Sequence, residues 1–206
     1  SLDGIDAAVN IPSHADLDAS IISQRTVAVW MQVSDKDISS RKQVIYEEGG
    51  MERGLGAYVY DGSLYVGGWN TQESGWTRTF FAANGIATGQ WHHIALTLNG
   101  SDTVEAGSFK VYLDGMLVDQ GSGSQLWVHD NGIGVGHVNA NTRFHDGPVT
   151  GDPEVLEGRI DDLRIYNREL SAAEITALAG MSAPSANRPP VADAGPDVLG
   201  EVDSLC

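Results

Sequence analysis

Apolar and polar side chains alternate with a period of two residues in short segments along almost the whole chain. This alternation is typical of β-strands, in which successive side chains point to opposite faces. Gly, Asn and Asp separate the segments, and Asp61-Gly62 and Asp114-Gly115 each predict a tight hairpin. Many short strands joined by such turns predict a β-sandwich or jelly roll and give little support to an α/β fold.

The longest apolar segment is Trp91–Leu98, and it is apolar on both of its faces. We therefore expect it to be a central strand that is covered on both sides. The other predicted strands are Thr26–Val33, Gln43–Tyr46, Leu55–Tyr60, Leu64–Val66, Phe109–Leu113, Met116–Val118, Gly132–Val138 and Gly158–Tyr166.

One short helix is predicted near residue 175. Ser171 and Glu174 have the spacing of a capping box, and Ile175 and Leu178 form an apolar stripe. Gly180 is expected to end the helix. The fold class is therefore all-β, a two-sheet antiparallel jelly-roll β-sandwich with one short C-terminal helix.

The composition changes after Gly180. Residues 181–190 are rich in Ser, Ala and Pro and are typical of a linker, and Asn187–Asp197 resembles the opening strand of polycystic-kidney-disease (PKD) type Ig-like modules. We expect a domain at residues 1–180, followed at 181–206 by a linker and the truncated start of such a module. The chain is then expected to be part of a larger protein whose other domains are its neighbours.

The formal net charge is −16, with 12 Lys and Arg against 28 Asp and Glu. Clustered Lys and Arg are absent from the sequence, which argues against nucleic acid and against an anionic membrane surface as partners. Cys206 is the single cysteine, so an intrachain disulfide is impossible. No stretch of sequence is long and apolar enough to predict a membrane-spanning segment or membrane insertion.

Four segments together resemble the bacterial laminin-G-like family, which is related to pentraxins and to the concanavalin-A-like lectins and glucanases. The segments are Leu2–Val9 (similar to F-D-G-x-D-D-Y-V), Gly89–Ala95 (G-x-W-H-H-V-A), Val111–Val118 (V-Y-L-D-G-x-L-V) and Gly158–Ser171 (G-x-I-D-D-V-R-I-Y-N-R-A-L-S). The resemblance implies two curved antiparallel sheets whose first and last strands are adjacent. It also implies a secreted or cell-surface location.

Catalytic residues were sought in the acidic patterns of this fold. Glycosidases on the same jelly roll carry acids as E-x-D-x-x-E or E-x-D-x-E along one strand, and this sequence has no such run. Glu47 and Glu48 are adjacent and should point to opposite faces. His92 and His93 are also neighbours and cannot both face one metal, so packed histidines are expected. The sequence predicts a protein that is not an enzyme.

A calcium site is expected from the resemblance. In the related glycosidases an ion joins the first strand, a glycine near the second or third strand, and an Asp of the last strand. The corresponding residues are Asp3, Gly49 or Gly50, and Asp161, and Ca²⁺ is the expected cofactor. The alternative is that Asp3 and Asp161 only accept hydrogen bonds from turn amides or pair with Arg. Asp162 and Arg164 share a strand face and predict a salt bridge.

Two polar segments are candidates for glycan binding, because sugar sites combine aromatic platforms with amide, carboxylate and Arg groups. The first, Trp69–Arg78, supplies Trp69, Trp76 and Arg78 in expected loop or edge positions. The second, Val138–Gly147, supplies Asn141, Arg143 and His145. The alternative is that the tryptophans belong to the core. Asp152-Pro153-Glu154 is a further candidate for an ion.

Three functions remain open. The first is a non-catalytic recognition module that binds carbohydrate, as a glycoprotein or cell-surface glycan, and is stabilised by Ca²⁺. The second is a structural or adhesion spacer without a ligand site, and the third is an unrecognised polysaccharide-active enzyme. Exposed coplanar Trp rings favour the first and burial of both Trp69 and Trp76 favours the second. Two carboxylates about 5–10 Å apart in a cleft favour the third.

Overall fold

The computed structural model describes residues 1–129, 131–150 and 154–181. Within them the chain forms 14 strands and one helix. These are β1 (Leu2–Asp3), β2 (Val9–Ile11), β3 (Gln24–Val33), β4 (Gln43–Gly49), β5 (Arg53–Tyr60), β6 (Ser63–Asn70), β7 (Trp76–Ala83), β8 (Trp91–Asn99), β9 (Glu105–Leu113), β10 (Met116–Gly123), β11 (Ile133–Val135), β12 (Asn141–Phe144), β13 (Gly147–Thr150), β14 (Glu157–Tyr166) and α1 (Ala172–Gly180). The predicted linker and module start after Met181 lie outside the described residues.

Two six-stranded antiparallel sheets form a sandwich, as the sequence predicted. The first sheet has the order β1-β14-β3-β8-β9-β10 and the second has the order β2-β11-β4-β5-β6-β7. Leu2 on the first strand pairs with Gly158 on the last, so the expected adjacency of these strands is confirmed. The strands β12 and β13 form a separate hairpin.

The hairpin turns follow from their sequences. Asp61 and Gly62 have φ angles of 45° and 84°, and Asp114 and Gly115 have φ angles of 50° and 80°. Left-handed backbone at both positions is the conformation of a two-residue hairpin turn, and Asp-Gly is one of the pairs that tolerate it. Both predicted hairpins are therefore confirmed.

The main core lies between the two sheets. Val29 and Met31 of β3, Leu55 and Val59 of β5, and Leu96 of β8 are buried in one cluster. Each fully buried side chain of this size contributes roughly 1.5–3 kcal/mol relative to an exposed one.

The helix covers the other face of the first sheet. Leu170 and Ile175 pack on Ala28, Ala95 and Tyr112, so β8 is central and buried on both sides, as predicted. The capping box is present: the Glu174 amide donates to the hydroxyl of Ser171, and the Ser171 amide donates to the Glu174 carboxylate at 2.8 Å. The helix ends at Gly180, as expected, and Met181 is its extended C-cap.

The outer face of the second sheet is lined with glycines and aromatic rings. A Cβ atom at Gly54 would lie 2.8 Å from the Trp69 ring, and one at Gly67 would lie 2.2 Å from Phe80. The glycines therefore allow both rings to lie close to the sheet, where they stack at 5.9 Å. Phe144 of the β12 strand joins a small core on this face, so the β12–β13 hairpin packs over part of the sheet.

Candidate functional site

A polar pocket of about 280 Å³ lies where β4 turns into β5, at one end of the second sheet. We call it the rim pocket. Its lining residues are Gly50, Met51, Glu52, Arg53, Val128, His129, Asn131 and Asn141.

The floor of the pocket is the tight turn between β4 and β5. Gly49 has a φ of 100°, and a Cβ atom there would lie 2.2 Å from the Arg53 carbonyl oxygen, so the turn requires glycine. The Gly50 amide donates to the same carbonyl at 2.8 Å. The Trp69 indole donates to the carbonyl of Gly50 at 2.8 Å and fixes the turn from below.

Three asparagine side chains hold the walls against this turn. Asn131 donates to the Gly49 carbonyl at 3.0 Å, and Asn139 donates to the Asn131 carbonyl at 2.6 Å. Asn141 accepts from the Met51 amide at 3.2 Å. Because these residues are up to 90 positions apart in the chain, the pocket depends on the tertiary fold.

Arg53 is the cation of the rim pocket, and its charge is balanced. One terminal nitrogen lies 2.8 Å from the Glu73 carboxylate and 3.6 Å from that of Glu52, and the other donates to the Val128 carbonyl at 2.7 Å. The pocket therefore offers amides and paired charges, which suits neutral groups that both donate and accept hydrogen bonds, such as sugar hydroxyls.

Apolar side chains border the polar groups. Met51 and Val128 line the pocket and are 39% and 41% exposed. Trp127 is not a lining residue, but it directly precedes Val128 in the chain and is 37% exposed. Sequence reasoning missed Arg53 and Trp127. The only local signal for Trp127 is that it lies among the polar and glycine residues that follow β10.

The two tryptophans expected to be sugar platforms are buried, so that expectation is wrong. Trp69 is 0% exposed and Trp76 is 2% exposed. The Trp76 ring points between the sheets, packs 5.8 Å from Phe109, and donates its indole N–H to Thr79 at 3.0 Å. Trp69 lies on the outer face against the glycines and supports the rim pocket.

The other four predicted ligand residues are divided between two places. Asn141 lines the rim pocket, and Arg143 adjoins it by donating to the Met51 carbonyl at 3.1 Å. His145 instead stacks on Tyr65 with ring centroids 4.2 Å apart, and its Nδ1 lies 2.7 Å from the Tyr58 hydroxyl. Arg78 is exposed on the edge strand β7.

A buried ionic cluster lies behind the rim pocket. Arg25 contacts the Glu48 carboxylate at 2.5 Å, and His129 Nε2 lies 3.8 Å from the same carboxylate. Burial alone would raise the pKa of Glu48, but the positive charges of Arg25 and His129 hold it below its usual value. Burial alone would lower the pKa of His129, but the negative charge of Glu48 and the hydrogen bond to the Trp127 carbonyl outweigh this effect and raise the pKa.

Glu47 and Glu48 do point to opposite faces, as expected for neighbours on a strand. Glu47 faces outward beneath the β12 strand and is 1% exposed. Burial raises its pKa well above the usual range, although hydrogen bonds from the Asn139 amide and the Thr142 hydroxyl partly oppose the shift. Substrate cannot reach this carboxyl group in the described conformation.

The four residues expected to bind calcium are not brought together. Asp3 pairs with Glu157, whereas Asp161 pairs with Trp30 four positions further along β14, roughly 13 Å away. Gly49 and Gly50 belong to the other sheet, and their carbonyls already accept hydrogen bonds from Asn131 and Trp69.

The two aspartates have local hydrogen-bond partners. Asp3 accepts from the amides of Ile5, Asp6 and Ala7, and hydrogen bonds from Ile5, Ala7 and Asp6 lower its pKa. Asp161 accepts from the Asp162 amide. In the described part of the chain, no group of three or more His, Cys, Asp and Glu side chains could hold a metal ion. This residue set does not fit one ion, and calcium binding by the protein stays a prediction.

The expected Asp162–Arg164 salt bridge is present. Arg164 donates two hydrogen bonds of 2.8 Å to the two carboxylate oxygens of Asp162. Among the described residues, no helix has the length and apolarity needed to cross a membrane.

Two six-stranded antiparallel sheets, with the first and last strands adjacent, define a jelly-roll β-sandwich domain. The chain belongs to the concanavalin A-like lectin/glucanases superfamily, whose family model matches residues 3–176. A comparison with curated protein sequences finds no match.

Solved structures with the same fold include a native heptameric SAP-like pentraxin from Limulus polyphemus, with a TM-score of 0.54 and 18% identity over 87% of this chain and 84% of that chain. The receptor binding domain of botulinum neurotoxin D matches with a TM-score of 0.61 and 16% identity over 87% of this chain and 42% of that one. The binding domain of serotype G has a TM-score of 0.59 and 12% identity over 87% and 41%. The chain thus spans about two fifths of each toxin domain, and these likenesses show the fold.

Proposed function

We propose that this chain is a non-catalytic carbohydrate-recognition domain of a larger secreted or cell-surface protein, and that the rim pocket is its binding site. The observation that carries the proposal is the pocket itself, in which amides and paired charges lie beside exposed apolar side chains. A sugar ring needs both, because its hydroxyls donate and accept hydrogen bonds while its C–H faces pack on apolar or aromatic groups.

The size of the pocket limits the ligand. Its volume of about 280 Å³ is slightly below the roughly 300–1,000 Å³ that is typical of ligand pockets. One or two sugar units fit such a volume, so we propose recognition of a chain end or a short branch.

The structural relatives support this class of ligand without identifying it. A further botulinum neurotoxin structure, which matches with a TM-score of 0.52 and 14% identity, has a title stating that cell entry of type C depends on interaction with two ganglioside molecules. Because the match covers only 36% of that toxin chain, we do not assign the ganglioside interaction to the present chain.

The experiment is a glycan array probed with the whole chain, in calcium and in chelator, followed by titration of the best ligand. We expect Trp127→Ala and Asn141→Ala each to weaken binding about tenfold, which is the effect of losing one stacking contact or one well-made hydrogen bond. Met116→Ala is the matched control for Trp127→Ala, because Met116 is also exposed but lies on β10 in the first sheet. Loss of binding in the control variant, or none in the pocket variants, contradicts this location.

A structural spacer is the second candidate, and the burial of Trp69 and Trp76 favours it. If the chain is a spacer, the folded protein will bind no member of the glycan array.

One feature favours a hydrolase. Glu47 faces outward and its pKa is raised, although its burial denies access to substrate. Release of new reducing ends from polysaccharides, abolished by Glu47→Gln, would establish that third reading.

A further inference from the structure

Three arginines of the described residues differ from the other cations. Eight Lys and Arg side chains lie within 4.0 Å of a carboxylate. Arg78, Arg143 and Arg159 have no such partner in the part of the chain that the structure describes. The chain carries 28 acids and 12 Lys and Arg, so these arginines are not unpaired for lack of carboxylates.

Two of the three belong to the same side of the sandwich. Arg78 lies in a bulge of β7: Gly68 pairs with Thr79 and Asn70 pairs with Trp76, so Thr77 and Arg78 together oppose Trp69. Trp69 belongs to the outer face of the second sheet, and residues that oppose one another across a strand pair share a face. Arg143 lies on β12, in the hairpin that packs over that face. Arg159 lies on β14 in the first sheet.

The surface that carries Arg78 and Arg143 also holds half-buried aromatic rings. Tyr65, Phe80 and His145 surround the buried Tyr58. Burial raises the pKa of Tyr58, and the positive charge of Arg78 is among the influences that lower it, so the guanidinium acts on this cluster. The neighbouring cation Lys42 is neutralised by Asp146 at 3.0 Å. Among the described residues, Arg78 and Arg143 are thus the cations of this face that have no carboxylate within 4.0 Å.

We infer that Arg78 and Arg143 recognise a carboxylate on the ligand, so that the glycan bound by this domain contains an acidic sugar. The inference rests on the proposed function and adds the class of sugar. A guanidinium binds a carboxylate through two parallel N–H···O bonds, and the adjoining rings suit the C–H face of a sugar. Two arginines in a chain of net charge −16 match an isolated carboxylate and do not suit a polyanion.

Arg143 connects this face to the rim pocket. Its Nε donates to the carbonyl of Met51, which lines the pocket, and its two terminal nitrogens make no hydrogen bond to any residue that the structure describes. A sugar whose hydroxyls occupy the balanced polar groups of the pocket can thus direct an acidic substituent towards Arg143.

The test uses the whole chain and an array of uronate- and sialate-containing oligosaccharides, each printed beside its carboxyl-reduced counterpart. Binders are then titrated by calorimetry. We expect at least one acidic member to bind about tenfold more tightly than its reduced form, the scale of one charge-assisted hydrogen bond. Arg78→Gln and Arg143→Gln should each remove about tenfold from the acidic member and less than twofold from its reduced counterpart.

Arg159→Gln is the matched control, because it removes the same charge from an unpaired arginine of the other sheet and should change either affinity less than twofold. Arg143→Gln removes a hydrogen bond and could lower the Tm. Arg78 is exposed and makes no hydrogen bond within the described residues, so Arg78→Gln should leave the fold intact and can test the inference by itself.

The outcomes separate this inference from the proposed function. Equal binding of acidic and reduced members, lost in the rim-pocket variants, refutes the acidic ligand and supports the recognition domain. An equal loss in the Arg159→Gln control shows non-specific attraction and also refutes the inference. Failure to bind any member of either array refutes both proposals.

Discussion

Glu47 and Glu48 are adjacent in the chain, yet the structure requires opposite effects when each is changed to Gln. Glu47 is buried beneath the β12–β13 hairpin without a cation, and its Oε1 has no hydrogen-bond partner among the described residues. Its pKa in the folded state is raised by burial. Gln has the same shape and no charge, so it resembles the protonated side chain.

The pH dependence of the free energy of unfolding follows from the proton on the Glu47 carboxyl group. Above a pH of about 4.3 the unfolded state loses the Glu47 proton while the folded state keeps it, so stability falls as the pH rises towards the folded pKa. The loss is about 1.4 kcal/mol for each unit between the two pKa values. Glu47→Gln removes this dependence, and we expect the variant to match the wild type near pH 4 and to be more stable at pH 7.

Glu48→Gln should act in the opposite direction. It leaves the buried guanidinium of Arg25 without its counter-charge, and removing one partner of a buried ion pair costs about 3–5 kcal/mol. The folded pKa of Glu48 is lowered, so its contribution is present above the unfolded pKa and is lost as the pH falls through the folded value.

Urea unfolding of the three proteins from pH 4 to pH 8 measures both effects. Comparison between variants at each pH cancels the other titrating groups, because they are common to all three. The reasoning is refuted if Glu47→Gln is the less stable protein at pH 7, or if the two substitutions cost the same.

Four further outcomes are expected. Trp69→Phe removes the indole hydrogen bond to Gly50 and should cost about 1 kcal/mol and weaken glycan binding; unchanged binding contradicts the role of Trp69 in holding the pocket. Ser171→Ala removes the helix N-cap and should cost about 1 kcal/mol, seen as a Tm lower by about 2–4 °C, and an unchanged Tm contradicts this. Calcium is expected to raise the Tm relative to chelator; equal Tm values for a protein found metal-free by elemental analysis refute it. Truncation after Met181 should leave the Tm within a few degrees, and a large fall means that residues 182–206 pack on the domain.

Local patterns were sufficient for much of the fold. The two Asp-Gly turns and the capping box depend on residues within four positions of one another, so the sequence shows them directly. The central position of β8 follows from its apolar residues on both faces. The opposite orientation of Glu47 and Glu48 follows from the same alternation.

The register of the strand pairs, and which sheet faces are covered by other segments, could not be predicted from the sequence. The resemblance placed the first and last strands side by side, but alternation does not say that Leu2 pairs with Gly158, and this register separates Asp3 from Asp161. The predicted strand Leu64–Val66 also stopped short of Trp69, whereas β6 continues to Asn70 and places Trp69 within the sheet. The rim pocket joins Met51 to Asn141 across 90 residues, a contact that no spacing indicates.

The burial of Trp69 changes how the candidate site should be understood. A Trp ring on the outer face of a sheet would ordinarily be available to a sugar, but Gly54 lets it lie close to the backbone, where its N–H reaches the Gly50 carbonyl. The ring then fixes the turn that forms the pocket floor. Trp69 therefore supports the pocket floor. Under the two proposals above, contact with a ligand falls to Trp127, which is 37% exposed, and to Arg143.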